Sequence, residues 1–209
     1  MTQPSILLVG AGGHARACID VIEQEGRFAV GGLLGIPDEV GTTVLGYPVI
    51  GSDADAPRFG GEYDYALVTI GQIKSPSVRV RFFAWLESLG FELPTVISPH
   101  AYVSRHARVG AGTIVMHGAI VNAGAVVGRN CILNSQSLVE HDVVVGDHCH
   151  VSTGAAINSG VHIGDGTFIG SGSIVRQDLT IGDQCLVGMG QRVLANCVPG
   201  SQLPARKDA

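Results

Sequence analysis

The 209-residue chain is 45% hydrophobic and 15% charged, with a net charge of -5 and no basic run, which supports a substantial core and argues against nucleic acid as the main partner. No apolar run reaches the roughly 18 residues a membrane span needs, and the opening MTQPSILLVGAGG lacks the basic-then-apolar order of a signal peptide, so a soluble, cytoplasmic protein is expected. The cysteines Cys18, Cys131, Cys149, Cys185 and Cys197 form no CxxC pair, so neither a zinc site nor a redox couple is indicated.

In chain order, Ile6 to Val9 reads as a buried first strand. It runs into Gly10-Ala11-Gly12-Gly13-His14-Ala15-Arg16, and Ala15 to Gln24 follows as a helix with one apolar face. Strand, glycine loop and helix begin a Rossmann-like unit whose helix N-terminus suits a phosphate. Further strands are expected at Phe28 to Leu34, Val44 to Ile50 and Tyr65 to Ile70, and an amphipathic helix at Ser77 to Leu89. A nicotinamide dinucleotide would want an acidic residue after the second strand, and Leu33-Leu34-Gly35-Ile36 offers none before Asp38. A nucleotide-linked sugar on Gly10, Gly12, Gly13 and His14 is the better functional reading. The plain alternative is that these glycines only let strand and helix pack closely.

From Ala101 onward the chain repeats every six residues. Sixteen successive steps from Val103 to Val193 are all Val, Ile or Leu, the signature of a parallel β-helix. Gly110, Gly128, Gly146, Gly164 and Gly182 recur every eighteen, so each lap has three sides; the expectation is that these corners need glycine for positive φ. The residue two before each aliphatic is mostly small, as at Ala119, Ala125 and Cys131, where the three walls meet. An α/β domain over 1–98 is therefore expected to precede a β-helix over 99–209, with the boundary near Pro99.

No two of the eight histidines are five apart, as a zinc-binding prism of the γ carbonic anhydrase type would require, and no metal is expected. The cluster with chemistry in it is Glu140-His141-Asp142. His141 comes two residues after an interior aliphatic and so faces outward, where flanking carboxylates can orient it as a general base. A solvated polar corner would give the same residues no role. His150 lies half a lap further on, on a different face.

The repeat resembles the hexapeptide-repeat acyltransferases. Along nearly its whole length the chain is similar to one subgroup, bacterial sugar acetyltransferases with a small Rossmann-like N-terminal domain, acting in sialic-acid O-acetylation or in N-acetylation of nucleotide-linked 4-amino sugars. The stretches that carry the resemblance are Gly10 to Arg16, Gly46-Tyr47-Pro48-Val49, Thr69-Ile70-Gly71, Ile97-Ser98-Pro99-His100, Asn134 with Glu140-His141-Asp142, and His150-Val151-Ser152. The resemblance implies a left-handed β-helix, a homotrimer, and acetyl-CoA lying in a groove between prisms against Gly170 and Gly188. It also implies direct attack on the thioester in surface glycan biosynthesis, with His141 as base, Asp142 orienting it and His150 beside the acetyl group. Backbone N–H groups around Ser159 and Gly160 are placed to hold the oxyanion. Two departures stand out. The subgroup's sugar-nucleotide members often carry two Asp where this chain has Gly35-Ile36, and the segment Val198 to Arg206 is shorter than the loop that commonly covers the coenzyme. A non-catalytic sugar-nucleotide sensor and a scaffold trimer remain as rival readings.

Overall fold

The computed structural model describes residues 3–204; the outermost residues of both expected domains, and Ala205 and Arg206 of the C-terminal segment, lie outside the described residues. Residues 5–88 form a mostly parallel sheet with a helix on each face. Strand β1 (Ser5–Val9) leads through the glycine loop into helix α1 (Gly13–Glu25), then β2 (Ala29–Gly35), β3 (Thr43–Val44), β4 (Tyr47–Ser52), β5 (Tyr65–Val68) and helix α2 (Ser77–Ser88). The sheet order is β3-β4-β2-β1-β5, parallel except for the β3–β4 hairpin. The single strand expected at Val44 to Ile50 is thus a hairpin. Its turn is Leu45-Gly46, both at positive φ, without the Asn-Gly signal that marks such turns in a sequence.

The rest of the chain winds as a left-handed parallel β-helix of two-residue strands, stacked in sheets of six, five and seven. The first face carries Tyr102, Ile120, Leu138, Ala156, Ile174 and Arg192 outward; the second, Arg108, Val126, Val144, His162 and Thr180. The third face begins with β6 (Val96–Ile97), which pairs with Ile114–Val115 three residues before Pro99. Every step of the aliphatic ladder from Val115 to Val193 is buried in one continuous core. At three of the polar small interior positions, Thr113, Thr167 and Ser173, the hydroxyl donates to a carbonyl of the next lap at 2.8 Å. All five cysteines are free thiols.

The eighteen-residue glycines have a different reason from the one expected. None of the five has positive φ; the residues that do stand two further on, as Gly112, Asn130, His148, Gly166 and Gln184. A Cβ on Gly128 would lie 2.6 Å from the carbonyl carbon of Gly146, and one on Gly164 2.5 Å from the nitrogen of Asp183. Glycine is needed there because successive laps pass backbone against backbone. The same corner carries Asp147, Asp165 and Asp183, whose carboxylates each accept the N–H of the residue one lap earlier, at 2.7–2.9 Å.

The α/β domain sits on the outside of the third face. Val96, Ile114, Met116 and Ile132 point out of the prism yet are fully buried, because they share a core with Ala15, Cys18, Ile19 and Ile22 of α1. Arg79 of α2, 1% exposed, donates to Ile70 O (2.6 Å) and to Asn130 O and Oδ1 (both 2.8 Å), tying the α/β domain to a prism corner. Among the described residues no helix is long and apolar enough to cross a membrane.

Candidate active site

Two cavities lie where the α/β domain meets solvent and prism. The larger, about 720 Å³, runs along the corner that follows the third face, from His14 and Gln72 past Asn134, His150 and Ser152 to Gly170 and Gly188. His150 heads a third-face strand, so its ring points out of the prism, but the loop after β5 covers it to 6% exposure. Its Nδ1–H donates to Gln72 O at 2.6 Å, and its Nε2 accepts from Asn134 Nδ2 at 3.2 Å. The Phe168 ring meets it edge-on at 5.2 Å. Burial pushes its pKa down to about 4, opposed by the Gln72 carbonyl and assisted by the Arg79 charge, so the ring is neutral at physiological pH with its tautomer set by its two partners.

His14, which the sequence groups with the glycine loop, lines this cavity, whereas Gly10 and Gly12 line the second. Its pKa is pushed down to about 3 by burial first, then by Arg79 and His150. Its Nε2 is sealed from solvent without a partner among the described residues. The reason is helical geometry: His14 is the second residue of α1, so its side chain projects on the opposite side of the loop from Gly10 and Gly12.

The second cavity, about 400 Å³, opens above the C-terminal ends of β1 and β2 and is lined by Gly10, Gly12, Glu39, Asp53 and Arg81 among others. Gly10 is a backbone requirement: its φ is +116° and a Cβ would stand 2.5 Å from Ile70 Cγ1. Gly12 and Gly13 would place a Cβ in open space. At Gly35, where a dinucleotide site would carry its acidic residue, a Cβ would meet Glu39 Oε2 at 2.5 Å. Glu39 holds the Ile36 N–H at 3.0 Å, so a carboxylate reaches this cavity from three residues beyond the expected pair.

His141 stands elsewhere, on the corner that follows the first face. Its side chain is 58% exposed, and Nδ1 lies 2.9 Å from Asp142 Oδ2. Asp142 reaches back over the ring because its own φ is +59°. Glu140 accepts from Asn122 Nδ2 (3.0 Å) and from the His141 N–H (3.2 Å). The Asp142 hydrogen bond raises the His141 pKa, and the charges of Asp142, Glu140 and Asp178 add to it. With Nδ1–H held by the carboxylate, Nε2 is left as an exposed basic atom. Ser159 and Gly160 lie one lap along the same corner, but the Gly160 N–H already donates to His141 O at 3.2 Å and is no free oxyanion donor in this chain. The whole first face separates the His141 corner from the His150 cavity. Among the described residues no cluster of three or more His, Cys, Asp and Glu side chains is arranged to hold a metal.

Sequence reasoning reached His150, Gly170 and Gly188 but passed over Gln72 and gave Asn134 no role. Gln72 lies in a loop with no periodic signal, and only the docking of that loop on the prism brings it to His150.

Comparison with known proteins places both halves. The PglD N-terminal domain family matches residues 5–86, and the hexapeptide repeat of succinyl-transferase matches residues 160–195. The acetyltransferase domain of PglB from Neisseria gonorrhoeae, solved with acetyl coenzyme A, is 29% identical over 96% of both chains, with a TM-score of 0.88. PerB from Caulobacter crescentus, solved with CoA and GDP-perosamine, is 30% identical over 96% of this chain and 94% of its own, TM-score 0.89. WeeI from Acinetobacter baumannii is 26% identical over 98% and 97%, TM-score 0.85.

Proposed function

The chain belongs to the hexapeptide-repeat sugar acetyltransferases, and on that premise we propose that it moves the acetyl group of acetyl-CoA onto a sugar, with a nucleotide-linked amino sugar as the acceptor class the site fits best. The observation that carries this reading is the pairing of an exposed, carboxylate-oriented base, His141, with a long cavity one prism face away that is lined by a neutral histidine with both ring nitrogens bonded, His150. PerB, with GDP-perosamine bound, supports the acceptor class, and the cavity at Gly10, Gly12, Glu39 and Arg81 offers glycine backbone, a carboxylate and a cation to a sugar nucleotide. Surface glycan assembly is the setting such a product implies.

The chemistry needs no covalent enzyme intermediate. As the acceptor amine (or hydroxyl) attacks the thioester carbonyl, His141 Nε2 takes its proton and Asp142 stabilises the imidazolium. The carbon–sulfur bond then breaks, and the proton returns to the departing thiolate. Asn134 Nδ2 keeps one N–H beyond the one given to His150, which makes it the oxyanion donor in place of Gly160. Because the raised His141 pKa belongs to a base that works in its neutral form, kcat/KM should climb with pH through a midpoint above the ordinary histidine value. Asp142→Asn should lower both that midpoint and the rate, measured by thiol release from acetyl-CoA; an unmoved midpoint would exclude His141 as the titrating base.

The site is proposed to form between subunits of a homotrimer. The first face exposes Tyr102 (59%), Ile120 (38%) and Ile174 (46%) around Leu138 and Ala156, an apolar ladder on the face that separates the two half-sites. A closed ring sets the His141 corner of one subunit against the His150 cavity of the next. Co-refolding His141→Ala chains with His150→Ala chains should then restore activity that neither has alone. With random assembly at equal amounts, about a quarter of the sites should combine both intact halves. No recovery, with mixed trimers demonstrated, would place both residues in one subunit's site.

A further inference from the structure

Gln72 is a polar side chain of the large cavity that this mechanism leaves unused. It is 3% exposed, in the loop between β5 and α2. Its main-chain oxygen accepts from His150 Nδ1 at 2.6 Å, and its Nε2 donates to Gly166 O on the prism at 3.3 Å. The loop is pinned where it begins, by Arg79 on Ile70 O at 2.6 Å. Yet Gln72 Oε1 is sealed from solvent and has no partner among the described residues. Buried amide oxygens are rarely left so.

We propose that the Gln72 carboxamide swings Oε1 into the cavity when acetyl-CoA binds and that Oε1 then receives an amide N–H of the pantetheine arm; the contact rests on the reading of this cavity as the acetyl-CoA site. An amide oxygen can only accept, so its partner must bring a donor. The thioester has none, whereas the pantetheine arm carries two amide N–H groups on a chain of methylenes. The neighbouring wall suits such a chain: Ile73, Phe168, Leu186 and Met189 offer apolar surface, where a sugar ring would leave its hydroxyls without partners. One residue then serves two purposes. Its side chain holds the coenzyme, and its carbonyl sets the tautomer of His150 beside the acetyl group.

Any substitution of Gln72 keeps the carbonyl, so the two roles separate. Gln72→Met replaces the carboxamide by a thioether of similar shape, and calorimetric titration of the full-length protein reads the result. Acetyl-CoA should bind about three- to tenfold more weakly, the loss of one hydrogen bond, while adenosine 3′,5′-bisphosphate, which lacks the arm, binds as before. A dissociation constant for acetyl-CoA within twofold of wild type overturns the contact, and so does an equal weakening of both ligands. A second arm does not depend on how the variant folds. Acetyl-CoA analogues in which either pantetheine amide is replaced by an ester lack that N–H, and one of them should bind wild-type protein with the same three- to tenfold loss; undiminished binding of both overturns the proposal. Wild-type protein that bound no acetyl-CoA would overturn the functional reading itself, and this contact with it.

Discussion

Replacing His141 by alanine is expected to lower kcat by about 10²–10⁴, the usual cost of losing a general base, while the melting temperature stays close to wild type. The two halves of that expectation come from one placement. The ring is mostly in solvent, its only side-chain partner among the described residues is Asp142, and the corner backbone is held by bonds that survive truncation, such as Asp142 N to Ala123 O at 3.2 Å. Nothing in the prism core depends on the imidazole. Its chemistry, by contrast, has no understudy nearby: His150 has both ring nitrogens engaged, and burial pushes the pKa of His150 down to about 4 and that of His14 to about 3. A thiol-release assay with acetyl-CoA and a panel of sialic acids and nucleotide amino sugars measures the loss. Activity within a factor of three of wild type would remove His141 from the mechanism.

Replacing Ile163 by aspartate should abolish folding altogether. Ile163 is 3% exposed, and its strand is stacked between those of Val145 and Ile181 in the prism core. Losing the side chain alone costs about 2–5 kcal/mol. The carboxylate adds several more, because nothing inside three apolar walls can pair it. Against a total stability of roughly 5–15 kcal/mol, that leaves no native state to populate. The control is one residue away: His162 points outward and is exposed, so His162→Asp should leave soluble, cooperatively melting protein. Expression, circular dichroism and thermal melts of the two variants decide it. Native-like Ile163→Asp protein would mean that the inside and outside of the ladder had been exchanged.

The contrast between those neighbours is legible in the amino-acid sequence, because period six leaves each aliphatic no choice of side. The prism, its interior ladder and the outward aim of His141 follow from local spacing and from the rule that apolar surface must be buried. The strand, glycine loop and helix at the N-terminus are legible for the same reason. What spacing could not convey was why some glycines are there. Gly110 to Gly182 recur because one lap's backbone touches the next, a contact eighteen residues apart in sequence. Gly10 needs its conformation, whereas Gly12 borders open cavity.

By itself, then, the sequence determined the period, and with it the fold, the core and which side chains face out. Only the tertiary structure decided the company those side chains keep. His14 lines the His150 cavity, Gln72 became a partner of His150 across 78 positions, and Arg79 was buried against Asn130 across 51. Each of those changes has one cause: the α/β domain docks on the outside of the third face. That docking is driven by apolar residues such as Ile114 and Ile132 that a hexad counts as outward. A repeat specifies its own interior through contacts at fixed intervals; where a second domain lands on its exterior depends on non-local surface complementarity, which has no period to read.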